Sequence, residues 1–376
     1  MTDEACDARF NQDSSCLVVC LPNGFRIYNC NPFSLVTTRD FSAVSHGRIH
    51  TVEMLYCCNI LAIVGAAPGN DVYPHDPANG PPRWCANVLV LWDDKEEREV
   101  AHLVFSTPIC NVKLLRRLIV VAVEDEVYVY QLSSVKLLYT FPTCYNPNGI
   151  CEVATNDNVD IITFPGPERG TVGVQVCQFD DSGEKILVED HVTIPAHQSD
   201  ICCIALSVDG LLLVTASASG PLVRLWGSFS GAKLQEFRKA SCSGWIRLCR
   251  ISHDSRLLCM VSDRHVVSLF RVNFLSKRHR RRNAHPLSPV ISTWATYGFP
   301  CAPLPKQSPC LLGSFLQWTC ASADVQRAHA RHRLAEPVVA CTFLPNTNNL
   351  LVVLPSGAVH RLCAAGGLAP LAAHAL

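Results

Sequence analysis

Short apolar runs alternate with short polar, glycine-containing turns along this chain, and the alternation recurs about seven times. The copies lie at 16–30, 60–92, 118–130, 159–176, 211–226, 257–270 and 350–362. A continuous apolar stretch of this length reads as a strand covered on both faces. Val-Tyr-Val-Tyr at 127–130 alternates as a half-buried strand should. The clearest units, 15–28 and 211–226, each read as a buried strand, a tight turn and the next strand of the same sheet. No long segment carries a helical period with caps. Successive copies start 41–58 residues apart, with 93 before the last, closer to the ~40–45-residue period of a four-stranded propeller blade than to the ~8–12 residues at which sandwich strands recur. One such unit cannot bury both of its faces alone, and stacking copies radially does so while leaving only short edges. The pattern therefore predicts an all-β chain, a seven-bladed β-propeller forming a single domain over 1–376. Two loop insertions interrupt it, one at 66–82 in blade 2 and a longer Pro-containing one at 273–311 in blade 6.

Composition supports a packed core: 48% of the 376 residues are hydrophobic and only 17% charged. Lys+Arg and Asp+Glu both number 32, so the net charge gives no reason to expect a nucleic-acid binder, and any anion site must come from local clustering. The 21 cysteines contain no CxxC pair, which excludes zinc-ribbon and thioredoxin-type readings. Cys57-Cys58 and Cys202-Cys203 sit in apolar runs, so cysteine is expected to serve as a small hydrophobe in a reducing, cytoplasmic compartment. The polar N-terminal segment lacks a signal-like apolar core, and no apolar stretch reaches the ~18–20 residues that span a bilayer. A membrane, if met, is met from one side.

Catalytic signatures are absent: no GxGxxG, Walker loop, GxSxG or HExxH occurs, so no enzyme activity and no cofactor are expected. His46/His50 and His329/His332 have helical ligand spacing but fall in expected loop or strand without a third ligand, so no metal is expected. Arg238-Lys239 is the informative pair. It ends the expected outer strand of blade 5, where consecutive side chains project to opposite faces. Each cation can then face a different inter-blade crevice and hold a phosphate by charge-assisted hydrogen bonds, although such a pair is more often plain solvated surface.

The runs 10–33, 51–65, 88–94, 146–150, 196–201 and 252–255 together resemble the PROPPIN family of phosphoinositide-binding propellers of autophagy, over nearly the whole chain. The family signature Phe/Leu-Arg-Arg-Gly, whose two arginines serve two lipid-headgroup sites, here reads Phe237-Arg238-Lys239-Ala240. The resemblance implies a first site of Arg238, Thr215, Ser217, His197 and Arg224. It implies a second site of Lys239, Ser262 and Arg264. There lysine replaces the forked arginine, and Ser-Asp-Lys-Gly-Thr has become Ser262-Asp-Arg-His-Val266. Pro221 stands where threonine is usual. The basic run Lys277, Arg278, Arg280, Arg281 and Arg282 falls where the family carries its bilayer-contacting loop, flanked by Phe274, Leu275, Trp294, Tyr297 and Phe299. A solvated loop or a nuclear-localisation patch are the plainer readings of that run. Lys113-Leu-Leu-Arg-Arg-Leu118 lacks an aspartate usual on the blade 2–3 face, where family members receive protein partners.

What the resemblance implies is a monomeric effector of phosphatidylinositol 3-phosphate and 3,5-bisphosphate. It would be peripheral on phagophore, preautophagosomal or endolysosomal membranes, and would recruit autophagy proteins such as the family's lipid-transfer partner. The rival reading is a WD-repeat scaffold that binds proteins and has lost lipid affinity.

Overall fold

A computed structural model describes residues 6–42, 48–66, 84–157, 159–180, 185–239, 244–276, 318–320, 327–347, 349–364 and 368–376. Among these residues all regular structure is strand, arranged as seven four-stranded antiparallel sheets in chain order plus one two-stranded pair. The sheets are the blades: 7–40, 49–104, 111–142, 152–195, 201–238, 246–333 and 340–375, numbered 1 to 7. Each is a meander in which sequential strands pair. The fold class is the seven-bladed β-propeller expected from the repeat. The sequence shows why the strands form: Cys16–Leu21, Ile60–Gly65 and Leu118–Ala122 are almost wholly apolar and nearly all buried.

The chain divides into two compact units, one of 1–151, 263–267 and 331–376, the other of 152–262 and 268–330. In the first unit, period-two alternation divides one strand between two neighbours. Cys16, Val18 and Cys20 of blade 1 pack with Ile49, Ile63 and Trp92 of blade 2. Leu17, Val19 and Leu21 pack with Leu351, Val353 and Val359 of blade 7. In the second unit, Ala205, Val214, Val223 and Phe237 of blade 5 meet Ile246, Met260 and Phe270 of blade 6. Phe237 and Phe270 are edge-on, 5.5 Å apart.

Two polar side chains tie these seams together. Arg9, on the first strand (Asp7–Phe10), reaches Asp7 at 2.6 Å and Glu53 of blade 2 at 3.4 Å. It also donates to Asn111 Oδ1 and the Val112 carbonyl of blade 3, at 2.7 and 2.9 Å. Burial pushes the Asp7 carboxyl up, but the charge and hydrogen bond of Arg9 outweigh it and hold the group below its ordinary value. Gln12 donates to the carbonyls of Met54 and Leu114, again joining blades 1, 2 and 3.

One expectation changes in the first unit. Cys57 and Cys58 are exposed in the turn between the first two strands of blade 2 and are not core hydrophobes. The apolar run around them ends at Leu55, and Tyr56 at φ +50° turns the chain outward. Arg116 lies over the Tyr56 ring, 4.5 Å from its centroid, so it covers that turn as well as following its own strand. Seventeen of the described cysteines take part in no disulfide. The expected loop 66–82 lies, apart from Ala66, outside the described residues.

Because Arg9 is mostly buried and contacts three blades, Arg9→Met is expected to cost about 3 kcal/mol in urea unfolding by leaving Glu53 undercompensated. Arg98→Ala, which breaks an exposed ion pair with Glu96, is expected to cost under ~1 kcal/mol. Equal losses would contradict the clamp.

Candidate functional site

Blade 5 consists of Ile201–Leu206, Leu212–Ser217, Leu222–Gly227 and Lys233–Arg238. Phe237 faces blade 6, so alternation puts Arg238 on the other face. Cross-strand pairing places Leu222 beside Arg238, and Arg224 beside both Thr215 and Glu236. That face therefore gathers Arg238, Arg224 and Thr215, and His197 joins it from the connection after blade 4.

The gathered groups differ in how far they are committed. Thr215 is fully buried. Trp226 Nε1 donates to its hydroxyl at 2.9 Å, and His197 Nε2 is also 2.9 Å from it. The three side chains form one hydrogen-bonded chain from indole through hydroxyl to imidazole. Burial, then the charge of Arg224, push the His197 pKa down to about 4, so the ring is neutral at neutral pH. Arg224 donates to the Ala196 carbonyl at 2.6 Å and to Glu236 at 3.0 Å, and Glu236 also holds Lys233 at 2.9 Å. Ser217 is buried and its hydroxyl accepts from Gly220 N at 3.3 Å, shaping the turn. Backbone fixes His197 as well: its N–H donates to the Gly170 carbonyl at 2.8 Å. Gly170 sits at φ +77°, where a Cβ would fall 2.0 Å from the His197 carbonyl oxygen.

Arg238 is exposed at the end of its strand, and no carboxylate among the described residues pairs with it. Lys239 is half-buried, with its N–H donating to the Pro221 carbonyl at 3.1 Å. Proline is tolerated there because the bond uses its carbonyl and not the N–H it lacks. The ammonium of Lys239 is near enough to help lower His197 and to oppose the burial that raises the Cys202 thiol.

Of the residues expected at a second site, Ser262 ends the second strand of blade 6 and is buried, and Arg264 is exposed in the following turn. His265 in that turn has φ +62°. The departure from glycine seen in the sequence thus falls on a left-handed backbone position, which a side chain strains. The third strand of blade 6 ends at Arg271 and the fourth begins at Ala330. Between them Phe274–Ser276 pairs with Trp318–Cys320. Gln235, on the outer strand of blade 5, was missed in the sequence. It donates to the Arg271 carbonyl at 3.3 Å and accepts from Asn273 N at 2.9 Å, tying this insertion's first residues to the strand that ends in Arg238. Nothing in its residue type marks such a role. Lys277, Arg278, Arg280, Arg281 and Arg282, like Ala240, lie outside the described residues. No group of three His, Cys, Asp or Glu that could hold a metal occurs among the described residues.

The depressed His197 pKa fixes a sign. Protonation is disfavoured in the fold, so its effect on stability is absent above pH 6.5, grows as pH falls towards about 4, and is constant below. His197→Gln should flatten the fall in urea midpoint between pH 6.5 and 4; an unchanged slope would exclude His197 as its source. Separately, His265→Gly should raise stability by about 1 kcal/mol through relief of the left-handed position, read in the same unfolding assay.

The chain is similar to known proteins. Autophagy-related protein 18 of Yarrowia lipolytica is 29% identical over 286 residues, 72% of this chain and 67% of its own length. The protein of that name from Mycosarcoma maydis is 32% identical over 281 residues, covering 70% and 58%. The chain spans about three-fifths to two-thirds of the length of these relatives. Among solved structures, Kluyveromyces lactis Hsv2 with its complete loop 6CD matches with a TM-score of 0.69 at 18% identity, over 100% of this chain and 99% of that one. The complex of KlAtg21 with the coiled coil of AgAtg16 matches with a TM-score of 0.66 at 20% identity, over 99% of each chain. These structures share the propeller fold. The family model described as PROPPIN matches residues 5–299, and the chain belongs to the PROPPIN family.

Proposed function

We propose that this protein reads phosphorylated inositol headgroups on membranes, phosphatidylinositol 3-phosphate and 3,5-bisphosphate, and recruits autophagy proteins there. The observation that carries the reading is Arg238: an exposed guanidinium with no carboxylate partner among the described residues, on the face of blade 5 that also carries Arg224. A guanidinium grips a phosphate through two parallel N–H donors. Lys239 supplies a second cation as a point charge. Kinship with proteins named for autophagy supports the process, and the Atg21 complex supports a coiled-coil class of protein partner. The basic run 277–282 would add a salt-sensitive attraction to an anionic surface, screened within about 8 Å at physiological salt.

A second reading is favoured by a specific observation. Thr215, Ser217 and Arg224 already spend their polar groups on indole, backbone and Glu236, which suits a protein-binding scaffold that no longer needs the crevice for lipid.

Liposome flotation with 3-phosphorylated inositol lipid separates the two. Arg238→Ala should lower affinity about tenfold or more, the loss of a charge-assisted pair. Lys239→Ala should cost about threefold. Replacing the five cations of 277–282 with Ser should weaken binding and flatten its salt dependence. Wild-type protein that fails to float at any salt concentration would support the scaffold reading, and equal losses at 238 and 239 would show two equivalent sites.

A further inference from the structure

An oxidisable thiol pair lies at the seam of blades 1 and 2, within the first unit. Cys57 is exposed in the turn of blade 2, and Cys16 is buried at the start of the second strand of blade 1. Their sulfurs are 3.9 Å apart. Small polar groups surround Cys57. Ser15 Oγ is 3.3 Å from its sulfur, and Asn11 Nδ2 donates to that sulfur at 3.5 Å. Ser15 Oγ in turn donates to Asp13 Oδ1 at 2.6 Å. The thiol proton of Cys57 therefore has a hydrogen-bonded route to Ser15 and Asp13, and a thiolate left behind would be met by the Asn11 amide. The adjacent Cys58 is otherwise occupied, its thiol donating to the Leu55 carbonyl at 2.8 Å.

We propose that Cys57 and Cys16 form a peroxide-sensitive modification site, Cys57 as the thiol oxidised first and Cys16 as the resolving thiol that closes a disulfide between blades 1 and 2. The oxidant is hydrogen peroxide. The Cys57 sulfur attacks one peroxide oxygen, an S–O bond forms as the O–O bond breaks, and the departing hydroxide leaves as water with the thiol proton. The product is the Cys57 sulfenic acid. Cys16 Sγ then attacks Cys57 Sγ. The S–S bond forms, the S–O bond breaks, and the second hydroxide takes the Cys16 proton. Two thiols and one peroxide become one disulfide and two waters.

The order follows from exposure. Peroxide reaches Cys57 from solvent, whereas Cys16 is covered, and burial pushes its thiol up to about 11. Closing the gap from 3.9 Å to a disulfide length of about 2.05 Å asks for movement mainly of Cys57, which sits on the exposed turn and not within a ladder.

The test exposes full-length protein to one equivalent of hydrogen peroxide, alkylates the remaining thiols and digests without reductant for mass spectrometry. The expected main oxidised product is a Cys16–Cys57 linked peptide, lighter by two hydrogens and released by dithiothreitol. Cys57→Ser should abolish it and Cys58→Ser should retain it. In Cys16→Ser the Cys57 sulfenic acid should persist and be captured by dimedone. The exposed Cys57→Ser change leaves the core intact, so the result does not hinge on the buried variant folding. Recovery of Cys57 as an alkylated thiol while others oxidise, as a sulfinic acid beside free Cys16, or linked to Cys58 would overturn the proposal.

Discussion

A strand covered on both faces must satisfy every polar atom it carries from within the protein, and this constraint governs the rest of the structure. Blade 1 divides a single strand between two hydrophobic seams, Val18 to one side and Leu17 to the other, so there is no solvent face on which to leave a polar group unpaired. Two polar side chains that enter such covered regions are bound into networks. Arg9 is bound to two carboxylates, an amide and a carbonyl. Thr215 is bound to an indole and an imidazole. In both cases the cost of burying the group is offset by partners from another strand or blade, which makes the polar contacts specific fasteners between sheets.

The same constraint shapes the candidate site. Residues that look like phosphate ligands by type divide into those that hold the blade together and those left for a ligand. His197 is kept neutral by burial, and Arg224 is engaged by Ala196 and Glu236. What remains for an anion is the strand end, where Arg238 passes out of the covered region and Lys239 follows it. On this reading the candidate site is a small exposed feature, Arg238 and Lys239, at the end of a strand whose other polar groups are already engaged.

Much of the fold was legible in the sequence because its cause is periodic. Apolar stretches such as Leu118–Ala122 and the alternation of Glu126–Gln131 declare strand and burial directly, and their spacing declares the number of sheets. Of the candidate site, the sequence disclosed the coincidence of a strand end and two cations at Arg238-Lys239. What residue type could not disclose was commitment. That Thr215 is buried against Trp226 depends on a cross-strand register, and the link from Gln235 to Arg271 and Asn273 depends on the packing of two blades. Cys57 misled for the opposite reason: its apolar neighbours suggested burial, but the backbone turns outward at Tyr56.

The central claim is that Arg238 receives the anion while the Trp226–Thr215–His197 chain beside it stays intact as support. Titrating soluble inositol 1,3-bisphosphate into protein labelled with nitrogen-15 at arginine and tryptophan tests it directly by NMR, with Trp226→Phe and Arg238→Lys assigning the two signals. The account predicts a saturable shift of the Arg238 Nε–H signal with the Trp226 indole signal unmoved. A shift of the Trp226 indole without one at Arg238, or no response from either, would contradict it.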